Sequence, residues 1–534
     1  VFDGMRTLLI GLDGATFTIL DDLVKEGPDG PVMPFLSKIY KEGVRCKLLS
    51  TPNPLTPPAW VSLMTGESPG YHGIYDFIRA EEADGDMFFT LYDSRDNRSE
   101  TIWSIASRQG KRVAALNFPF TAPPPSNLNG FMVPGFVPWR HLRRNSRPDD
   151  LYDRMKALPG FDPKELAWDF DREKKAIDLL SDEERENWIR YHLPREAQWF
   201  RIADNLLGGE SLDLMAVMFD GVDKLQHQAW QFIDPGLRDG VDGEYCRRMR
   251  ELCMDYFRQL DGFIEKLITA AGPDVQTFIA SDHGFTSTYE IVRINVYLHE
   301  KGYLKWKPVS NTPEAVRREN SMFSNLEWKD TVAYCQTPSS NGITIRVARK
   351  PGDTGIRPED YQTFRDSLIK DLENLRDLET GERIISRIYK REEVFSGPAM
   401  GNAPDLLLSL RDSGFVSIKN ISPVIERRSE VAGTHHPEGI FLAYGPGINR
   451  GAVKGEMKIV DVAAVLLYSL GLEVPGDMEG RVAGGIFTED YLAGRPVRIS
   501  NLGSVVEKDE RSEEMAEDEK NKIMSQLRML GYME

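Results

Sequence analysis

The sequence predicts an α/β fold with a mostly parallel central sheet, helices on both sheet faces, and inserted cap regions. Three observations carry this expectation. Short apolar runs alternate with helix-like stretches through most of the chain. Several of those runs stop at an acidic residue, often Asp-Gly. Two long segments break the alternation.

Thr7–Leu12 is a short apolar run ending at Asp13-Gly14, and Val113–Leu116 is another. Leu214–Phe219 ends at Asp220-Gly221; Val275–Ala280, less purely apolar, ends at Ser281-Asp282-His283-Gly284. Such runs between helical stretches read as buried parallel strands. Helical periodicity marks Tyr245–Ala271 and Met457–Leu470. Residues 121–204, rich in Pro, Trp and charge, are expected to be an insertion, and the polar residues 301–399 an insertion or cap. The discontinuous α/β core that carries the chemistry is then 1–120, 205–300 and 400–500. Residues 501–534 are expected to end in a peripheral helix with Ile523, Leu527 and Leu530 on its apolar side.

The chain has 534 residues, 41% hydrophobic and 28% charged, as in soluble globular proteins. Its length suggests several domain-sized units. A formal charge of −17 without a strong basic stretch argues against a nucleic-acid polymer as partner. A small anionic substrate is compatible with that charge if bound cations reverse the local field. Cys46, Cys246, Cys253 and Cys335 are too scattered for a disulfide framework or a thiolate metal site. The first residues do not resemble a signal peptide, and Met5 is expected to lie near the natural start. The longest mostly apolar stretch, Val462–Leu472, falls short of the ~18 residues of a spanning helix. No membrane span and a cytoplasmic location are expected; the sequence says nothing of oligomeric state.

The acidic residues at the strand ends point to chemistry. In a parallel sheet the carboxyl ends of the strands share one edge, where ligands gather. Asp13, Asp282, Asp220 and Asp223 would converge there, and cations would offset their repulsion. Histidine, present only eight times, recurs beside them: His227 four residues after Asp223, His283 directly after Asp282, and His435 with His436 in Gly433–Gly439. Mixed Asp and His ligation suits zinc or manganese. Each residue also has an ordinary alternative. Asp13-Gly14 is common turn chemistry, Asp282 fits a helix N-cap, Asp223 and His227 fit a helical pair, and Thr56-Pro57 fits a turn entry. His72 and His436 read as structural neighbours, and Asp220 as a turn former or a support to the ligands.

In chain order stand Gly11-Leu12-Asp13-Gly14, Thr56-Pro57-Pro58-Ala59-Trp60 with Thr65-Gly66 and His72-Gly73-Ile74, Asp223-x3-His227, Ser281-Asp282-His283-Gly284 and Gly433-x-His435. This set resembles the alkaline phosphatase superfamily, most closely its type I phosphodiesterase/nucleotide pyrophosphatase branch and the phosphohydrolase/phosphomutase-like group within it. Segments around Gly110–Val113, Asn117-Phe118-Pro119, Ala403–Leu406 and Asp461-Val462-Ala463 extend the resemblance over nearly the whole chain. The resemblance implies an alkaline-phosphatase-like fold and two divalent metals, zinc first and manganese second, ~4 Å apart. Asp13, Thr56, Asp282 and His283 would hold one, and Asp223, His227 and His435 the other. Thr56 would be the nucleophile, forming a covalent phospho-threonine on a small phosphorylated substrate.

One family element is missing. Nucleotide pyrophosphatases carry an Asn after His-Gly-Ile that donates to the phosphoryl oxygen, and here that place falls at Phe77. Asn117, at another strand end, is the expected substitute for binding substrate. The sulfatase Cys-x-Pro-x-Arg element is absent. The expectation is therefore a phosphoric ester hydrolase, a diesterase before a monoesterase. The alternatives are a cofactor-independent phosphomutase with 301–399 as its closing cap, and an inactive metal-binding scaffold.

Overall fold

A computed structural model describes residues 7–505 except 29, 84–85, 167–180, 241, 309–325, 338–339, 351, 452–454 and 502. The expected terminal helix and the expected start at Met5 lie outside the described residues.

An eight-stranded sheet forms the centre. Its strands are β1 (Thr7–Leu12), β2 (Val44–Leu49), β3 (Val113–Leu116), β4 (Gly130–Val133), β5 (Leu214–Phe219), β6 (Gln276–Ala280), β7 (Glu438–Tyr444) and β8 (Met457–Lys458). Their spatial order is β8-β2-β7-β6-β1-β5-β3-β4. Every pairing is parallel except those of β7, which runs against both β2 and β6. The expected mostly parallel sheet is therefore present.

Side chains alternate across it, as strand geometry requires. Leu8, Ile10, Leu12, Met215, Val217 and Phe219 enter the core on one face. Leu9, Leu214, Ala216 and Met218 enter the core on the other. The first core is closed by helices Asp182–Gly209, Gly221–Ile233 and Glu244–Ala271. The second is closed by Thr56–Thr65, Ile102–Arg108 and Asp461–Ser469. Burial on both faces explains why β1 and β5 are apolar without interruption.

Two expectations change. Residues 121–204, expected as an insertion, supply β4, which pairs in parallel with β3 at the sheet edge. They also supply most of helix Asp182–Gly209 against the first core. The helix expected from Met457 starts at Asp461, because Met457 and Lys458 pair with Leu48 and Leu49 as β8. The Lys458 amide then donates to Asp461 Oδ2 at 3.0 Å.

Within 301–399, strands Ala333–Cys335, Gly342–Ile345 and Ile385–Lys390 join Leu406–Leu410 in a separate four-stranded sheet. Leu368 and Leu372 of helix Tyr361–Glu373 belong to its core. Beside the central sheet, strands Gly284–Arg293 and Ile425–His436 pair antiparallel, with Phe285 opposite His435 and Gly284 opposite His436.

Candidate metal centre

Five segments meet at the carboxyl edge of the central sheet. Asp13 leaves β1. Helix Gly221–Ile233 starts directly after β5, at Asp220, and carries Asp223 and His227 one turn apart on one face. Asp282 and His283 follow β6. His435 belongs to the same edge because β7 is the one reversed strand, so its beginning lies level with its neighbours' ends; Glu438 sits opposite Leu49. The antiparallel ladder between Gly284–Arg293 and Ile425–His436 then sets His283 beside His435, with rings stacked at 3.6 Å between centroids.

Thr56 opens helix Thr56–Thr65, all of whose residues are buried. Pro57 and Pro58 suit a first turn, where an N–H has no helical partner, and Gly66 ends the helix at φ 72. The Ala59 amide is committed to the Leu55 carbonyl. Two prolines and that bond leave Thr56's own N–H as the one first-turn amide able to turn toward a ligand. Gly11 lets the helix approach β1: a Cβ there would lie 2.6 Å from Trp60 Cη2 and 2.9 Å from Met218 Cγ.

The seven side chains expected from the sequence form one cluster. Asp223 Oδ1, His227 Nε2 and His435 Nε2 make a triangle with edges of 3.4, 3.1 and 3.2 Å. Donor atoms of Asp13, Asp282 and His283 all lie within 4.8 Å of one another. His283 Nε2 is 3.2 Å from Asp282 Oδ2, 3.6 Å from Asp13 Oδ1 and 3.4 Å from Thr56 Oγ1. His283 also lies within 4.8 Å of Asp223 and His435, which joins the two groups.

This donor set fits divalent cations. His283 Nδ1 faces the Gly284 carbonyl at 3.1 Å, and His435 Nδ1 faces the Pro54 carbonyl at 2.8 Å. A carbonyl only accepts, so each Nδ1 carries the proton and each Nε2 turns a lone pair toward carboxylate oxygens. Each Nε2 lone pair is thereby available to a cation, and a backbone carbonyl holding the outer ring nitrogen is usual for metal-bound histidine. Asp13 Oδ1, Asp223 Oδ1 and Asp282 Oδ2 are buried without a hydrogen-bond partner among the described residues. Burial, followed by the charges of Asp282 and Asp223, pushes the Asp13 carboxyl well above its ordinary range. Burial chiefly pushes Asp282 up to about 8. Burial holds His283 and His435 below the ordinary histidine value, and so neutral, as ligation requires.

Asn117 departs from the expectation. It is fully buried, and its amide donates to the Met218 carbonyl at 2.9 Å and to Asp220 Oδ1 at 3.0 Å. Both N–H groups are committed inside the protein, so Asn117 supports Asp220 and does not offer a donor to substrate. Phe77 packs with Leu55 into the core of the four-stranded module. His72 is structural as expected: Nε2 meets Ser62 Oγ at 2.9 Å and Nδ1 accepts from the Ile74 amide at 3.1 Å. Asp220 bonds the Arg195 guanidinium as well as Asn117; burial alone would raise its carboxyl, but Arg195 and Lys224 hold it low. His436 Nδ1 accepts from the Glu438 amide and shapes the turn into β7.

Sequence reading missed Arg195, Gln226 and Ser50. Ser50 Oγ donates to the Asp282 carbonyl at 2.6 Å, and Gln226 Nε2 to the Gly14 carbonyl at 2.7 Å. Arg195 and Ser50 carry no local signal. Gln226 did, as an amide inside Asp223-x3-His227 on the face that turns inward.

A sheet edge gathering carboxylates and imidazoles beside a helix-starting hydroxyl makes a candidate centre for divalent cations. The model of the type I phosphodiesterase/nucleotide pyrophosphatase family matches residues 7–438. The chain belongs to that family and is a hydrolase acting on phosphoric ester bonds. No curated protein matches it. Among solved structures, murine ectonucleotide pyrophosphatase/phosphodiesterase 5 is similar at 16% identity and a TM-score of 0.50, covering 88% of this chain and 95% of that one. Phosphonoacetate hydrolase from Sinorhizobium meliloti 1021, in complex with phosphonoformate, is similar at 15% identity and a TM-score of 0.51, with the same coverage. At these identities the likeness concerns the fold.

Proposed function

We propose that this enzyme cleaves small phosphodiesters with Thr56 as nucleophile and two divalent cations, zinc or manganese. The observation that carries this is the Thr56 hydroxyl, buried at a helix start and 3.4 Å from His283 Nε2, within the cluster of six other donors. Asp13, Asp282, His283 and Thr56 would hold one cation, and Asp223, His227 and His435 the other. When bound, the cations would supply the charge that offsets three carboxylates, acidifies the Thr56 hydroxyl and stabilises the departing oxygen.

The chain's own groups do the rest. The stacked imidazoles stay neutral, their Nδ1 protons held on carbonyls, so they neither take nor give a proton during turnover. Thr56 Oγ1, its proton released to water, forms a bond to phosphorus as the bond to the opposite ester oxygen breaks and that oxygen takes a proton from water, giving a covalent phospho-threonine. Water then attacks that phosphorus in line, the bond to Thr56 Oγ1 breaks, and the proton the water gives up is returned through solvent to Oγ1, regenerating the hydroxyl. The Thr56 N–H would donate to a non-bridging oxygen, since the side chains of Phe77 and Asn117 offer no donor. A diester is favoured over a monoester because a single negative charge asks for fewer donors. A cytoplasmic location belongs to the same proposal, supported by four cysteines that are all free thiols.

The test is turnover of bis-nitrophenyl phosphate by the zinc- or manganese-loaded protein, with the covalent adduct trapped by acid quench. Nitrophenol release and a modified peptide containing Thr56 are expected. Unchanged turnover by Thr56→Ala would remove the nucleophile assignment.

A second reading, internal phosphoryl transfer, is favoured by one contact. Thr337 Oγ1 donates to Asp76, and Gln336 Nε2 donates to the Ile78 carbonyl at 3.0 Å. These bonds tie the four-stranded module to the segment between helix Pro69–His72 and strand Ile78–Ala83, and a cap built on that module would be anchored there. Isomerisation of a phosphosugar without net phosphate release would select it.

A further inference from the structure

Gln226 lies three residues after Asp223 and one before His227, on the inward face of helix Gly221–Ile233, and is fully buried. Its Nε2 donates to the Gly14 carbonyl at 2.7 Å. The N–H of the same Gly14 donates to Asp282 Oδ1 at 3.1 Å. Gly14 is thus held through its carbonyl by the helix of Asp223 and His227, and through its N–H by Asp282, with Asp13 immediately before it. Space there is tight. Gly14 has φ +67, and a Cβ on it would lie 3.2 Å from Asp223 Oδ1 and 3.1 Å from the Phe285 ring. The strand of His435 closes on the same residue: a Cβ at Gly433 would lie 2.5 Å from the Gln226 carbonyl oxygen.

We propose that Gln226 is a positioning residue that joins the two metal-holding groups and fixes their separation. Through Gly14 it links the helix of Asp223 and His227 to the Asp13 turn and to Asp282, and its backbone supports the strand of His435. The chemistry calls for an amide. Gly14 presents a carbonyl, so only a donor serves, and a carboxylate here would face that carbonyl in a neighbourhood that already holds Asp13, Asp223 and Asp282. Gln226 Oε1 is buried with no hydrogen-bond partner among the described residues. A residue kept merely for packing would not leave such an acceptor unpaired, since apolar side chains of that volume avoid the penalty.

This inference rests on the two-cation reading, and one experiment separates them. Wild type, Gln226→Met and Gln226→Glu are titrated with Mn²⁺ by calorimetry, and the loaded proteins are examined by electron paramagnetic resonance for the signal of a spin-coupled manganese pair. Thermal melts establish that each variant is folded; Gln226→Met keeps length and volume if Gln226→Glu does not fold. Wild type is expected to bind two ions and show the coupled signal. Gln226→Met is expected to bind the first ion within about threefold of wild type. It should bind the second at least about tenfold more weakly, the scale on which residues supporting metal ligands act, and lose the coupled signal. A folded Gln226→Met with both affinities and the coupled signal intact would overturn the positioning role alone. A wild-type protein that binds fewer than two ions would overturn the two-cation reading beneath it.

Discussion

At the scale of single residues, protons decide how the centre behaves. Asp282 is pushed up to about 8 by burial, and Asp13 is raised well above its ordinary range by burial and by its acidic neighbours. Both therefore keep a proton near neutrality until a cation displaces it. Metal uptake at pH 7 is expected to release protons, so the apparent binding enthalpy in calorimetry should vary with the ionisation heat of the buffer. An enthalpy independent of buffer would contradict this. The sign for stability follows from the same shift. A carboxyl whose pKa is higher folded than unfolded contributes stability fully below the unfolded value near 4, and that contribution is lost as pH rises to about 8. By this term alone the metal-free protein loses stability from pH 5 to pH 8, and Asp282→Asn should flatten that part of the profile in thermal melts. Added zinc should raise the melting temperature more at pH 8.

At the scale of elements, the close approach of β1 to helix Thr56–Thr65 sets where the Thr56 hydroxyl stands. Gly11→Ala would press a methyl against Trp60 and Met218, costing about 1–3 kcal/mol by overpacking. Urea unfolding should show that loss, and diester turnover should fall with it because Trp60 moves the helix that begins at Thr56. Much at this scale was legible beforehand. β1, β3 and β5 were readable as unbroken apolar runs because burial on both faces removes polar alternation, and the acids at the ends of β1, β5 and β6 marked the edge that matters. Strand β4 was not legible: Gly130–Val133 is four residues inside a Pro-rich stretch, and only pairing with Val113–Leu116 makes it a strand. The reversed direction of β7 has no local signal either, yet that reversal brings His435 to the edge. Asn117 was misread because a strand-end amide looks alike from sequence whether it faces solvent or, as here, Asp220.

At the scale of the whole molecule, the chain gathers its candidate metal-holding side chains on one sheet edge and leans a four-stranded module against residues 76–78. The contact joins an apolar core, where Phe77 and Ile78 pack in one cluster with Leu368 and Leu372, to a buried polar bond: Thr337 donates to Asp76, which burial pushes up to about 7. Thr337→Val leaves that carboxyl without its hydroxyl partner and should cost about 1–3 kcal/mol in denaturant unfolding. Metal stoichiometry should not change, because Thr337 contacts no ligand of the centre. Among the described residues no helix is long and apolar enough to cross a membrane. The acidity of the chain, −17 overall, makes the local positive field of bound cations all the more necessary for an anionic ester to approach.

The most direct measurement is anomalous diffraction from crystals of the zinc-loaded protein with orthovanadate bound. Two peaks are expected, one among Asp13, Thr56, Asp282 and His283 and the other among Asp223, His227 and His435, with vanadium in line with Thr56 Oγ1. Zinc at other side chains, or vanadate bound away from that hydroxyl, would contradict the account.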